Sequence, residues 1–176
     1  MKSLKYSYRI IGLLFLLVIS VPTKAQNNPY KINDFLFPIY QRATKYRTRP
    51  QGLLIADTLY SEAVKRHDKK AKCLALTIPV IYYYTTRADY KVLEQLKEVS
   101  RKNDYLQYYY FACSYEINYL LVNGRSLAAL QKAEEIKKQA FRDQHTYGIY
   151  SCIRIIGNIY QERNNTDLAA KHYKNA

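Results

Sequence analysis

The stretch Ile153-Arg154-Ile155-Ile156-Gly157-Asn158-Ile159-Tyr160, followed by a polar turn at Asn164-Asn165 and then by Ala169, Tyr173 and Ala176, decides the fold. Ile153, Ile156 and Tyr160 recur at helical spacing, and so do Ala169, Tyr173 and Ala176. Small residues at Gly157 and Ala169 let two antiparallel helices approach closely. Ile153, Ile156, Tyr160 and Tyr173 then fill the space around that contact. The stretch reads as a helical hairpin.

Working back along the chain, the second-helix pattern recurs as Ala56, Tyr60 and Ala63, as Val92, Leu96 and Val99, and as Ala129, Ala133 and Ile136. The near-constant interval between these starts marks stacked supersecondary units, none of which buries its apolar face alone. The expected fold is therefore all-α, an α-solenoid of about four hairpins spanning roughly 33–67, 70–102, 104–141 and 145–176. Pro50 suits a first helical turn, Asp104 and Ser126 are expected N-caps, and Asn123-Gly124 is expected to end a helix in a left-handed residue. Pro79, inside the helix expected over 70–86, removes a backbone donor and is expected to bend it near Ala75; Pro38 is expected to act alike in the first helix. No strand signal, low-complexity tract or composition break competes with the helices.

Lys2, Lys5 and Arg9 precede a short apolar run from Ile10 to Val21 and then Thr23-Lys24-Ala25. A spanning helix needs about 20 residues, well beyond this run, so the segment reads as a secretory signal covering 1–25 and cut after Ala25. Export to the periplasm is the expected route, with residues 26–176 forming the array. No cysteine follows the apolar run to accept a lipid. Cys73, Cys113 and Cys152 each fall on an apolar stretch in the first helix of an expected hairpin. Equivalent points on successive hairpins lie about 8–10 Å apart, beyond the roughly 7 Å Cα limit of a disulfide, so the three are read as small buried apolar residues.

The whole chain carries 28 basic and 14 acidic residues, a net of +14. Without Lys2, Lys5, Arg9 and Lys24 the balance is still about +10. Outside the cytoplasm such a surface points to anionic glycans or membrane head groups before nucleic acid. Many cations also sit late in the expected helices, as Lys65, Arg66, Arg101 and Lys102 do, where they complement the helix dipole. Both readings stay open.

The 20 tyrosines, with no tryptophan, are the other anomaly. They cluster in Tyr82-Tyr83-Tyr84 and Tyr108-Tyr109-Tyr110. Neighbours on a helix point about 100° apart, so no triplet buries all its rings against one partner. Tyr108, Ala112, Tyr115 and Tyr119 form a stripe assigned mainly to packing, and Tyr83 aligns with the core. Tyr82, Tyr84, Tyr109 and Tyr110, with Asn118 and Arg154 as polar neighbours, are left as candidates for an exposed ligand groove on the first helices. Tyrosine offers such a groove large contact area at low entropic cost. The repeat-packing positions are Ala56, Tyr60, Ala63, Ile153, Ile156, Gly157, Tyr160, Ala169, Tyr173 and Ala176.

Catalytic constellations are missing. His67, His145 and His172 are isolated from any metal-ligand spacing, Glu134-Glu135 reads as a charged helix face, and there is no phosphate loop or nucleophile motif. Neither an enzyme nor a cofactor or metal is expected.

The hairpin pattern resembles tetratricopeptide repeats. The segments Asn28-Pro29-Tyr30-Lys31-Ile32-Asn33-Asp34, Ile39-Tyr40-Gln41-Arg42-Ala43, Leu74-Ala75-Leu76-Thr77-Ile78-Pro79 and Asn103 to Phe111 resemble the exported repeat region of Bacteroides-type sensor histidine kinases. That resemblance implies a periplasmic input module that binds a peptide or protein and signals inward, dimerising in an intact receptor. The chain stops within the second helix of its fourth hairpin, so a fragment of a longer reading frame is expected. A stand-alone periplasmic scaffold or polyanion-binding protein is the alternative.

Overall fold

A computed structural model describes residues 31–86 and 91–174. The signal over 1–25 and Ala176 lie outside the described residues. Among those residues there are eight helices and no strand: α1 (Leu36–Lys45), α2 (Pro50–Lys65), α3 (Lys69–Thr86), α4 (Lys91–Lys102), α5 (Leu106–Val122), α6 (Ser126–Arg142), α7 (Thr146–Glu162) and α8 (Thr166–Lys174).

Each helix packs on the next one in the chain. Beyond these neighbours, α1 touches α3, α3 touches α5 and α5 touches α7, whereas no two even-numbered helices pack backbone against backbone. The odd helices thus form a continuous row, and the even helices stand apart on it. Local composition explains the division. In α4, the buried residues Leu93, Leu96 and Ser100 form one stripe and charges fill much of the rest, as suits a helix packed on one side. In α5, Tyr108, Tyr110, Cys113 and Ile117 are among many buried residues, because neighbours cover this helix from several directions. Alanines or serine face inward from the even helices at Ala56, Ala63, Ser100, Ala129, Ala133, Ala140 and Ala169, which brings the two backbones close.

The core has two main clusters that meet in α5. Leu36, Leu59, Leu74, Leu96, Tyr108 and Ala112 belong to one; Tyr110, Cys113, Ile117, Ala133, Ile136 and Ile156 belong to the other. Tyr60 and Tyr160 flank these clusters half-buried. Gly157 has a more specific role than helix approach: a Cβ there would sit 2.6 Å from the Tyr173 ring. The glycine seats that ring, and the Tyr173 hydroxyl donates toward Asn158 Oδ1 or Gln161 Oε1, 2.7 and 3.0 Å away, so Tyr173 joins buried Ala169 and the Tyr160–His172 stack in tying α8 to α7.

Five joints share one geometry. His67, Asp104, Gly124, Gln144 and Asn164 all take left-handed backbone conformations, φ +51° to +71°. After each, the next residue's N–H reaches back to a carbonyl near the end of the preceding helix at 2.9 Å: Asp68 to Ala63, Tyr105 to Ser100, Arg125 to Leu120, His145 to Ala140 and Asn165 to Tyr160. This corrects two expected caps. Asp104 is the left-handed residue that closes α4, not the N-cap of α5, and Ser126 is already inside α6. Gly124 ends α5 as expected. Asp68, His145 and Asn165 instead cap the following helices, accepting from the Ala71, Gly148 and Leu168 backbone N–H groups.

Prolines act by position. α3 runs unbroken through Pro79, which leaves the Ala75 carbonyl without its intrahelical donor. Pro38 lies in the first turn of α1, where a missing N–H costs no helical bond, so it does not repeat Pro79.

Candidate ligand-binding face

Rings on neighbouring odd helices line one side of the row. Tyr84, in the last turn of α3, meets Tyr115 of α5 edge-on with centroids 5.1 Å apart, and Tyr115 lies 4.7 Å from Phe111 one turn earlier. Tyr115 also interacts electrostatically with Tyr147 of α7 and with Arg47 of the α1–α2 joint. Burial first, then the neighbouring hydroxyls of Tyr147 and Tyr84, pushes the Tyr115 phenol up, while Arg47 opposes this. Tyr147 is 43% exposed and Tyr150, at the next position of the same stripe on α7, is 49% exposed. Arg154 continues that stripe and is exposed, whereas Asn118 sits half-buried on α5.

The sequence candidates divide in two. Tyr82 and Tyr84 are half-buried on α3, and Tyr82 stands edge-on to Tyr83 at 5.4 Å. Tyr83 is also only half-buried, so its expected core position is corrected: burial on α3 falls from its centre toward Thr85 and Thr86, which are exposed. Tyr109 and Tyr110 lie in another neighbourhood, against the joint between α6 and α7. Tyr110 is only 1% exposed and is no part of a groove. Its burial has a definite cause, since Gly148 leaves a space in which an added Cβ would come 2.7 Å from the Tyr110 ring.

That second neighbourhood is a polar brace. Asp143 Oδ2 accepts from the Tyr110 hydroxyl at 2.7 Å and from the Arg101 guanidinium at 2.8 Å. With the Gln139 amide oriented so that its oxygen accepts from Arg101 at 2.7 and 2.9 Å, its nitrogen donates to the Tyr109 hydroxyl at 3.2 Å. Arg101 covers the Tyr109 ring at 4.9 Å, and His145 stacks on Tyr110 at 4.7 Å while accepting the Gly148 N–H through Nδ1. The Tyr110 hydrogen bond, followed by Arg101, holds Asp143 below the usual carboxylate range. Burial lowers His145, opposed by Asp143, and raises Tyr109 to about 12. These groups satisfy one another across α4, α5, α6 and the joint, so they fix helices in place and offer no poised acid or base.

The tyrosine stripe read from Tyr108 to Tyr119 splits accordingly. Tyr108 and Ala112 are buried, while Tyr115 and Tyr119 are half-buried and face outward. Phe111, Tyr115, Tyr147 and Tyr150 are the band residues that sequence reasoning passes over. A signal exists for the last two, because Tyr147, Tyr150 and Arg154 are spaced by three and four opposite the buried Cys152, Ile155 and Ile159.

Elsewhere, α5 and α6 enclose a cleft of about 510 Å³ lined by Glu116, Tyr119, Arg125, Gln131, Lys132 and Glu135. Buried Glu116 bridges the separated α4 and α6, 3.0 Å from Lys97 Nζ and 3.8 Å from Lys132 Nζ. The three cysteines are buried and unpaired, and burial pushes each thiol up to about 12, so their thiolates are scarce near neutrality. His67, His145 and His172 stay apart, and no cluster of three or more metal-ligating side chains exists among the described residues. No helix among them is long and apolar enough to cross a membrane. Comparison with family models, with curated proteins and with solved structures yields no match to this chain.

Proposed function

We propose that the chain is a non-enzymatic, tetratricopeptide-like helical-repeat binding module, an α-solenoid whose odd-helix face takes a peptide or protein ligand. The observation that carries this reading is the aromatic surface of the odd row: Tyr84 of α3 packs against Tyr115 of α5, Tyr115 lies beside Phe111, and Tyr147 and Tyr150 stand exposed on α7. Rigid helices hold the rings, so little ordering entropy opposes binding. The basic start, the short apolar run and Ala25 support export to the periplasm, and the repeat pattern supports a role as the input part of a sensor of the kinase-linked type.

The experiment is a tiled peptide array probed with the purified chain and with its Tyr84→Ala and Tyr147→Ala variants. Binding that weakens in both variants while the circular dichroism stays helical is the expected result. Peptides that bind both variants as well as the parent would overturn the reading. Export is checked separately by fusing residues 1–40 to a phosphatase active only outside the cytoplasm, with Gln26 expected as the new N-terminus.

The net charge of +14 favours a second reading, a periplasmic scaffold that binds polyanions. Affinity for such a ligand falls steeply with salt, whereas an aromatic contact changes little.

A further inference from the structure

We infer that the ligand of the odd-helix face is an acidic peptide segment of a partner protein. The inference rests on the binding-face reading and adds the chemistry of the occupant.

Carboxylates are partitioned between the two sets of helices. Of the chain's 14 acidic residues, α1 and α3 carry none; α5 carries Glu116 and α7 carries Glu162 in its final position. Glu116 is turned away from the band, toward Lys97 and Lys132 on even helices. The ion pairs of Lys65, Arg66, Lys97, Arg101, Lys132 and Lys137 are made on an even helix or directly after one. Arg154 is exposed with no ion-pair partner among the described residues, and Arg47 donates only to the Thr44 carbonyl, at 3.3 Å.

The rings thus form a tyrosine surface with Arg47 in electrostatic reach of Tyr115, with Arg154 continuing the Tyr147 and Tyr150 stripe, and with no described carboxylate beside it. The described part of this surface attracts negative charge. Its middle is aromatic rather than cationic, and Asn118, half-buried on α5, makes no side-chain hydrogen bond among the described residues and is available to a peptide main chain. A sulfated glycan or lipid surface is matched by a dense run of cations, whereas two separated arginines among rings match carboxylates spaced along an apolar backbone. Three helix spacings of about 8–10 Å correspond to roughly nine extended residues.

Fluorescence anisotropy tests this with a labelled peptide of that length alternating Glu with Leu and Val, and with the same peptide carrying Gln at every Glu. The acidic peptide is expected to bind at least about tenfold more tightly. Arg47→Gln and Arg154→Gln each weaken it about fivefold and leave the Gln peptide unchanged, while Lys138→Gln on α6 affects neither. Equal affinity for both peptides, lost together in Tyr147→Ala, overturns the acidic partner and leaves the binding face intact. Indifference of both peptides to Tyr84→Ala and Tyr147→Ala overturns the face as well. A sulfated oligosaccharide that outcompetes the acidic peptide, with affinity falling steeply with salt, assigns the face to polyanions and overturns the inference.

Discussion

From α4 onward, odd and even helices are joined by the same left-handed turn, yet they solve opposite problems. The joints recur there at an even interval, at Asp104, Gly124, Gln144 and Asn164. The odd helices spend their large side chains on neighbours in their own row, so rings and branched residues surround them. The even helices pack on odd ones, mostly through small residues such as Ala56, Ala63, Ser100, Ala133 and Ala169, and give much of the remaining surface to charge. Buried side chains of the odd row and of the even helices packed on it together form the two core clusters, and the Phe111 and Tyr115 rings border the first of them.

Substituting single side chains on α5 and α7 separates the two roles. Ile117→Ala, at a fully buried position of the second cluster, is expected to cost about 2–5 kcal/mol, because the row cannot collapse onto the cavity without moving α6 and α7. Tyr150→Ala, exposed on the same row, is expected to stay within about 0.5 kcal/mol. Urea unfolding checks both, and equal losses would erase the distinction between core and face. The two glycines of α7 sharpen it further. Gly148→Val drives a methyl-bearing Cβ into the fixed Tyr110 ring and the Ala140 Cβ and is expected to cost about 1–3 kcal/mol. Gly157→Val meets Tyr173, which is 40% exposed and can swing away, so a smaller loss is expected.

Glu116 links the two sets of helices. Glu116→Gln keeps the shape but removes the charge that faces Lys97 and Lys132, and a loss of about 1–2 kcal/mol is expected, below the cost of the cavity at Ile117. Removing Lys97 as well, by Lys97→Met in the same chain, is expected to restore part of the stability. Additive losses in the double variant would show that the bridge between α4 and α6 contributes nothing of its own.

How far the sequence discloses this arrangement depends on the residue. Helix positions are legible because apolar period, Pro50 and Gly124 agree locally. Asp104 marks the limit: His67, Asp104, Gln144 and Asn164 make left-handed joints without a glycine to signal them, and an aspartate before a helix looks like a cap. Tyr110 escapes for a different reason. Its burial depends on Gly148, two helices further along the chain, and on Asp143, and no local pattern reports such a partner. Tyr84 and Tyr115 come together through the register of neighbouring hairpins, which periodicity alone does not fix. The charge partition, by contrast, is written in the helices themselves and needs only the knowledge of which helices form the row.

The joints offer a smaller effect of defined sign. Gln144→Gly relieves a side chain held at φ +51° and is expected to stabilise by up to about 1 kcal/mol, whereas Gly124→Ala at φ +71° is expected to destabilise by a similar amount. Opposite shifts in melting temperature are the signature. A loss in both would mean that chain flexibility outweighs joint strain at Gln144.

The least change is expected from pH, and it distinguishes the brace from the rest of the row. Burial depresses His145, so the unfolded chain binds its proton first as pH falls; the stability tied to neutral His145 is present above the ordinary histidine range and is lost as pH drops through the lower folded value. Protonation also converts Nδ1 from the acceptor of the Gly148 N–H into a donor, which removes the cap of α7. Asp143 adds a second loss of the same sign at lower pH, because its folded value lies below the carboxylate range and its stabilisation fades as pH falls through that value. His145→Asn keeps a capping side chain without the titration, so the melting temperature between pH 7 and pH 5 should flatten while the loss below pH 4 persists. If the variant's profile matches the parent's throughout, the acid sensitivity arises outside the brace, and the joint between α6 and α7 is no more sensitive than those that lack a histidine cap.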